Sequence, residues 1–284
     1  MRRFTALATM VALLVLSLGH SVAFSQQPPA PVVRHQFRVE GVPLSGSYDL
    51  AQQSLHFAPG AATPWHTHPG QVLVTVIEGE LTFRTPGAAE KLYKTGDSFA
   101  EMPNHVQQAH NTTSANTTVV ASFVLPDGAP LSVPQPDDTT PPPRPAVGWQ
   151  GRTDSVPPPS SYEVVQWILD FAPGAATPWH THAGQLLVTV LEGELTFTIN
   201  NVDQVYQAGE SFVEMPSEVA QARNATATPT VLLVTGLLPK GAPFSHSVPL
   251  PGTGRDGQPI LVLALAATLL LGGAVIRGRT QARR

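Results

Sequence analysis

An internal repeat is the feature that most constrains the fold of this chain. The segment LHFAPGAATPWHTHPGQVLVTVIEGELTF, residues 55–83, returns as LDFAPGAATPWHTHAGQLLVTVLEGELTF, residues 169–197, with four substitutions and no gap. Two copies of nearly the same sequence are expected to adopt the same fold. We therefore predict two equivalent domains within the 284 residues.

The pattern within each copy is that of β-strands. In the first copy an apolar run at residues 72–77 is followed by a Glu-Gly turn and a returning strand at residues 80–83. Elsewhere, short apolar segments alternate with Gly, Pro and Asn, and the body of the chain shows no helical periodicity. These signals predict an all-β protein.

Each copy also carries a His-x-His pair, His66 with His68 and His180 with His182. Side chains two residues apart on a strand point to the same side, so the two rings of each pair converge. Imidazole is the commonest metal ligand in proteins, which makes each pair a candidate metal site. Two ligands do not complete a site, however, and a polar face or a hydrogen-bonded pair is the alternative.

The residues around these pairs resemble the first motif of the cupins, which are small antiparallel jelly-roll barrels. That motif is a glycine, five residues, His-x-His, three or four residues, a glutamate, six residues and a glycine. The residues that fit it are Gly60, His66, His68 and Gly79 in the first copy and Gly174, His180, His182 and Gly193 in the second. The resemblance implies two tandem jelly-roll barrels, a bicupin.

The metal ligands of the cupin pattern are only partly present. The motif glutamate is replaced by Val72 in the first copy and by Leu186 in the second. The second cupin motif is recognisable at residues 96–111 and 209–224, but its histidine is replaced by Gln107 and by Ala220. The three-His-one-Glu site implied by the resemblance would therefore keep two of its four ligands in each copy.

Other side chains can supply the missing ligands. Glu101 and Glu214 occupy equivalent places just before a Met-Pro turn, and Gln107 is a further possible ligand in the first copy. A carboxylate joined to two histidines forms a set with open positions, suited to a divalent transition metal such as iron, manganese, nickel or zinc. The alternative is a solvated glutamate at a strand end. Because the first copy keeps more nitrogen ligands, we expect it to be the better site.

The two ends of the chain carry targeting patterns. Residues 1–25 have two arginines, an apolar run and small residues in the order of a secretory signal peptide. Residues 260–276 are apolar and uncharged, as in a transmembrane helix, and the basic tail 277–284 predicts a cytoplasmic end. Residues 250–254, LPGTG, resemble a sortase sorting signal; a plain linker to a membrane anchor is the alternative. We therefore predict an exported protein, anchored to the outer face of the cytoplasmic membrane or to the cell wall, with a sortase as a possible partner.

The domain limits follow from the repeat. We place the first barrel at residues 37–134, a Pro-rich linker at residues 135–159 and the second barrel at residues 160–249. The linker is expected to be extended or to wrap one barrel. If the barrels pack on each other the chain is a monomer, and the linker length also permits a dimer.

Composition limits the functions that remain. The chain has no cysteine, which excludes thiolate catalysis, cysteine zinc sites and disulfides. Its net charge is -4, and six of its arginines lie in the two terminal segments, so the rest is acidic and unsuited to nucleic acid. We predict binding of a divalent metal, a small-molecule ligand, or both. The alternatives are a metal-dependent, dioxygenase-like enzyme and a non-catalytic structural module of the envelope; the sequence identifies no catalytic residue.

Overall fold

The computed structural model describes residues 27–136, 142–153 and 157–249. Every regular element within these ranges is a β-strand, which confirms the all-β prediction. No helix in the described ranges is long and apolar enough to cross a membrane. The predicted signal peptide (1–25), sorting motif (250–254), transmembrane helix (260–276) and basic tail (277–284) lie outside the described residues.

Twenty strands follow one another along the described parts of the chain. The first ten are β1 (Val32–Glu40), β2 (Tyr48–Phe57), β3 (His66–Thr67), β4 (Gln71–Glu78), β5 (Glu80–Arg84), β6 (Lys91–Lys94), β7 (Ser98–Glu101), β8 (Gln108–His110), β9 (Thr117–Pro126) and β10 (Val133–Pro134). The second ten are β11 (Ala146–Arg152), β12 (Tyr162–Phe171), β13 (His180–Thr181), β14 (Leu186–Glu192), β15 (Glu194–Ile199), β16 (Val202–Gln207), β17 (Ser211–Glu214), β18 (Ala220–Arg223), β19 (Thr230–Pro239) and β20 (His246–Ser247).

These strands form two antiparallel barrels of matching topology. Barrel 1 consists of the sheet β11-β2-β9-β4-β7, the three strands β6-β5-β8 and the pair β10-β3. Barrel 2 consists of the sheet β1-β12-β19-β14-β17 and the sheet β16-β15-β18-β13-β20. The repeat in the sequence is thus a repeat in the structure.

Each barrel takes its outermost strand from the segment that leads into the other barrel. Strand β1 precedes barrel 1 in the chain but pairs with β12, from Val32 opposite Asp170 to Glu40 opposite Glu163. Strand β11 lies within the predicted linker, residues 135–159, and pairs with β2 of barrel 1. The exchange covers one edge of each five-stranded sheet. Because an uncovered edge favours aggregation, the exchanged strands protect the protein from it.

The two five-stranded sheets pack face to face, so both faces of their central strands are buried. Along β4, Val72 and Val74 face the core of barrel 1. Leu73 points the other way, into a cluster between the barrels that includes Leu187 and Leu237. Burial on both faces explains why the strand appears as a continuous apolar run instead of an alternating one.

A buried polar network lies in the same interface. Gln52 Nε2 donates to Thr235 Oγ1 at 2.6 Å and to the Leu187 carbonyl at 3.1 Å. Its Oε1 accepts from Thr189 Oγ1 at 2.5 Å. The side chain is fully buried, so these bonds replace the water that the amide loses on folding.

The equivalent residues of the other copy repeat the arrangement. Gln166 Nε2 donates to Ser122 Oγ at 2.7 Å and to the Leu73 carbonyl at 3.2 Å, and Gln166 Oε1 accepts from Thr75. Thr235 Oγ1 donates to Ser122 Oγ at 2.6 Å and joins the two halves. The interface between the barrels is thus pseudo-symmetric in its hydrogen bonds as well as in its strands.

Replacing Gln52 by alanine should lower the free energy of unfolding by about 2–4 kcal/mol, because it removes three buried hydrogen bonds, with Thr189, Thr235 and the Leu187 carbonyl. Urea unfolding measures the change. Gln36, exposed on β1, is the matched control, and Gln36→Ala should change the stability by less than about 0.5 kcal/mol. Equal effects of the two variants would show that the network contributes little.

Candidate metal centres

The histidine pairs are fixed by the turn that follows β7 and β17. The Asn104 N–H donates to the carbonyl of His68 at 2.8 Å, and the Ser217 N–H donates to that of His182 at 2.9 Å. Both turn residues have positive φ, 62° and 67°. Glycine adopts this conformation most readily, so Asn104 and Ser217 hold the geometry of a glycine turn without being glycine.

In barrel 1 two imidazoles and a carboxylate converge. His66 Nε2 lies 3.0 Å from His68 Nε2, and the rings meet nearly at right angles. His68 Nε2 also lies 2.8 Å from Glu101 Oε2. All three side chains are buried, and their ligand atoms lie within 4.8 Å of one another.

Backbone carbonyls determine which ring nitrogens face this cluster. His66 Nδ1 lies 2.8 Å from the Pro64 carbonyl, and His68 Nδ1 lies 2.6 Å from the Leu131 carbonyl. A carbonyl only accepts hydrogen bonds, so both Nδ1 atoms carry hydrogen and both Nε2 atoms of the neutral rings are lone-pair acceptors. Two lone pairs and a carboxylate then face one another, an arrangement that a cation among them, or a proton on one of the rings, satisfies.

The pKa values of the histidines reflect this arrangement. At His68 burial lowers the pKa, but the hydrogen bond and charge of Glu101, with the Leu131 carbonyl, outweigh it and the pKa is raised. At His66 burial and the neighbouring His68 lower the pKa. Burial also lowers the pKa of His180 in barrel 2. Each barrel therefore holds at least one imidazole whose neutral, ligating form is favoured.

Barrel 2 repeats the cluster with wider spacing. His182 Nε2 and His180 Nε2 lie 3.3 Å and 3.8 Å from Glu214 Oε2. Their Nδ1 atoms are again held by carbonyls, that of His180 by Pro178 at 2.9 Å and that of His182 by Phe244 at 2.6 Å. The ligand atoms lie within 4.8 Å of one another. We expected the first copy to be the better site. In these three ligand groups the barrels do not differ, since each holds two histidines and one glutamate.

The carboxylate comes from the strand next to the one that carries it in the cupin pattern. Val72, at the motif position on β4, lies directly opposite Glu101 on β7, and Leu186 lies opposite Glu214 in the same way. Side chains of directly opposite residues in an antiparallel pair share one face of the sheet. A carboxylate at either position therefore reaches the same cavity.

The spacing of the donor atoms fits a metal ion. Bonds of about 2.0–2.2 Å from nitrogen and oxygen to a metal place neighbouring ligand atoms roughly 2.8–3.6 Å apart, from octahedral to tetrahedral geometry. The separations of 2.8, 3.0 and 3.3 Å fall within this range, and that of 3.8 Å lies just above it. The carbonyls that hold Nδ1 are the kind of outer partner that orients a ligating histidine.

Gln107 lies beside this cluster. Its backbone forms two hydrogen bonds with that of His66, so the two side chains lie on the same face, where the cupin pattern has its third histidine. Its side chain is buried, and Nε2 has no hydrogen-bond partner among the described residues. In barrel 2 the position opposite His180 is Ala220. An additional ligand from this position is therefore available only in barrel 1.

Each cluster opens into a cavity inside its barrel. The cavity of barrel 1 measures about 220 Å³ and that of barrel 2 about 250 Å³. Apart from the cluster, most lining residues are apolar, and they include Phe57, Val72, Val74 and Phe99 in barrel 1 and Phe171, Leu186, Val188 and Phe212 in barrel 2. Such a cavity suits a small, partly hydrophobic ligand.

The exchanged segments also line the cavities, a feature that was not predicted from the sequence. Residues 144, 145 and 147 line the cavity of barrel 1, and residues 30, 31 and 33 line that of barrel 2. The carbonyls of Pro143 and Pro29 accept hydrogen bonds from Ala62 and Ala176, both at 2.9 Å. The sequence contains a signal for this equivalence. The segments PAPVV at residues 29–33 and PRPAV at residues 143–147 are separated by the same number of residues as the longer repeats at 55–83 and 169–197.

Comparison with known proteins supports this fold. The model of the cupin domain matches residues 53–123 and 167–236, which include both ligand clusters. No curated protein matches the sequence. A solved structure of Lactobacillus farciminis oxalate decarboxylase, as a formate complex, is 15% identical and covers 76% of this chain and 89% of its own, with a TM-score of 0.54.

Two further solved structures are similar over much of the chain. AerE from Microcystis aeruginosa is 18% identical and covers 74% of this chain and 98% of its own, with a TM-score of 0.48. A cupin 2 conserved barrel domain protein from Leptotrichia buccalis is 14% identical; the match covers 75% of this chain and 98% of that protein, with a TM-score of 0.38. At 15% identity, the oxalate decarboxylase structure shows a shared fold.

Proposed function

We propose that this chain, which carries the cupin domain twice, binds a divalent transition metal in each barrel and a small ligand beside each metal. The observation that carries the proposal is the convergence of His66, His68 and Glu101, repeated as His180, His182 and Glu214. These groups present lone pairs and one negative charge to a common point. A divalent cation there satisfies all of them at once.

Three protein ligands leave coordination positions open toward the cavity. Open positions admit water or a small molecule and distinguish reactive or binding sites from closed structural ones. A metal held there supplies a Lewis acid to a bound ligand. The protein contributes the orientation of the histidines and a mostly apolar enclosure.

We also propose that the protein is exported and anchored outside the cytoplasmic membrane. The support is the sequence at its two ends: the signal pattern at residues 1–25 and the motif, apolar run and basic tail at residues 250–284. Cleavage near residue 23 or 25 leaves Pro29 in place, and the Pro29 carbonyl bonds Ala176 of barrel 2. Export would therefore preserve the segment that closes the second cavity.

The metal content of the purified protein tests the binding proposal. Elemental mass spectrometry after loading with iron, manganese, nickel or zinc should find about two ions per chain, one for each cluster of donor atoms. His66→Ala with His68→Ala should lower this to about one, and so should His180→Ala with His182→Ala; the fourfold variant should bind none.

His56 supplies the control, because it is an exposed histidine outside both clusters. His56→Ala should leave the metal content unchanged. If the wild-type protein binds none of the four metals, or if the fourfold variant binds as much as the wild type, the proposed function is wrong.

A further inference from the structure

The two cavities differ at their rims while their ligand clusters are the same. Three matched positions, in repeats related by 113 or 114 residues, change character between the barrels. The pairs, barrel 1 first, are Gln53 and Trp167, Leu131 and Phe244, and Arg144 and Ala30, and all six residues line their cavities. The residues proposed to bind the metal are the same in the two barrels, whereas the residues around a bound small molecule differ. This pattern is expected of two sites that hold different molecules.

Charge is the first difference. A divalent cation with one carboxylate leaves a net positive charge in either barrel, and Arg144 adds a second positive charge only in barrel 1. Arg144 is exposed and lines the cavity of barrel 1, and it forms no hydrogen bond or ion pair with the residues in the described ranges. A guanidinium binds a carboxylate through two parallel hydrogen bonds.

The backbone holds Arg144 at the cavity. It stands between Pro143 and Pro145, whose rings restrict the chain to an extended conformation. The Pro143 carbonyl is bonded by the Ala62 N–H at 2.9 Å, which attaches the segment to barrel 1. The arginine is therefore positioned by the exchanged segment, although its side chain is exposed to solvent.

Aromatic surface is the second difference. In barrel 2 the rings of Trp167 and Phe244 stack with their centroids 3.6 Å apart and their planes 15° from parallel. Phe244 also lies edge to face with His182 at 5.1 Å. In barrel 1 the aromatic contact of the corresponding histidine is Phe123, in the wall of the cavity, and the rim residues described there include no aromatic pair. A stacked pair beside a metal favours a flat, uncharged ring.

We propose that the barrels select ligands through different groups: barrel 1 a small carboxylate that reaches toward Arg144, and barrel 2 an aromatic molecule that contacts Trp167 and Phe244. The proposal deepens the proposed function and rests on it for the metal at the base of each cavity. The difference between the barrels itself rests on the rim residues.

Benzoate and benzamide test this proposal, because they match in size and ring and differ in charge. Binding of each is measured by calorimetry on zinc-loaded protein in which one barrel is disabled by its two His→Ala substitutions. The protein with a working barrel 1 should bind benzoate roughly tenfold tighter than benzamide. The protein with a working barrel 2 has the same charge at its metal but no arginine at its cavity, so its preference for benzoate should be smaller than that of barrel 1.

Exchanging the rim residues should exchange the preference. Arg144→Ala should lower the benzoate preference of barrel 1 to about that of barrel 2 without loss of zinc, and Ala30→Arg should raise the preference of barrel 2. Zinc content and thermal midpoint are measured on the same samples, so a variant that has lost its metal or its fold is recognised.

The outcomes separate the two proposals. If zinc binds at one ion per working barrel but barrel 1 shows no preference, or binds neither probe, the ligand proposal is wrong and the metal proposal stands. If Arg144→Ala keeps the full preference, the arginine is not the selecting group and the ligand proposal is again overturned. If no zinc binds at all, the proposed function fails first, and that result appears in the metal analysis independently of the calorimetry.

Discussion

Removing the Glu101 carboxylate should strongly weaken metal binding in barrel 1, and placing a carboxylate at Val72 on the neighbouring strand should restore it. Glu101→Val should weaken binding at least about 100-fold, because it removes the only charged ligand of the cluster. Adding Val72→Glu should bring the affinity back to within about tenfold of the wild type, since Val72 and Glu101 are direct partners across β4 and β7 and both line the cavity. The measurement is a metal titration of protein in which barrel 2 is disabled by its two His→Ala substitutions.

Two controls make this experiment specific. Glu78→Val removes an exposed carboxylate at the end of β4 and should leave the affinity unchanged. An unpaired buried carboxylate is unfavourable in free energy, so Val72→Glu could unfold the apolar wall of the cavity. Circular dichroism of each variant without metal checks that the fold is kept. Retention of metal by Glu101→Val, or failure of the folded double variant to regain it, would contradict the view that the carboxylate has moved from one strand to its neighbour.

Removing the exchanged strand β1 should destabilise barrel 2 far more than barrel 1. Deletion of residues 27–40 takes away eight paired positions along β12 and the ion pairs of Arg34 with Asp170 and of Arg38 with Glu163. We expect a loss of at least about 4 kcal/mol in the free energy of unfolding, since each lost backbone hydrogen bond contributes about 0.5–1.5 kcal/mol. Thermal unfolding and the metal content of each barrel measure the effect.

The deletion also opens a cavity and exposes a sheet edge. Ala30, Pro31 and Val33 line the cavity of barrel 2, so its metal and ligand should be lost while barrel 1 keeps both. The uncovered edge of β12 should promote aggregation, which light scattering detects. A synthetic peptide of residues 27–41 added in trans is the control, and it should restore the metal of barrel 2. Equal metal loss from both barrels would mean that the strand stabilises the whole molecule instead of closing one site.

Local patterns in the sequence were enough for the fold class and for the centre of each site. The repeated His-x-His pair predicted convergent rings because strand periodicity is a local property, and the structure brings His66 close to His68 and His180 close to His182. The equivalent glutamates before the Met-Pro turn were a possible third ligand, with a solvated strand end as the alternative, and the structure places Glu101 and Glu214 beside the histidines. The duplication extended the statements about these three residues from one copy to the other.

Long-range pairing was decided by the tertiary structure. Strand β1 pairs with β12, well over one hundred residues away, and no local pattern specifies which of two similar edges a strand joins. The same applies to Gln52 and Gln166, whose partners lie on the opposite sheet of the interface. The placement of Arg144 follows from that pairing, because only the exchanged segment carries it to the cavity of barrel 1.

The sequence by itself therefore determined an all-β duplication with two convergent histidine pairs, because these depend on strand period and repeat alone. The tertiary structure decided that the carboxylate approaches from the strand next to the motif position, that the barrels exchange outer strands, and that the two cavities differ at their rims. Each of these features depends on which surfaces meet when the sheets pack. The same holds for the burial of both faces of the central strands, which exists only once the two barrels have assembled.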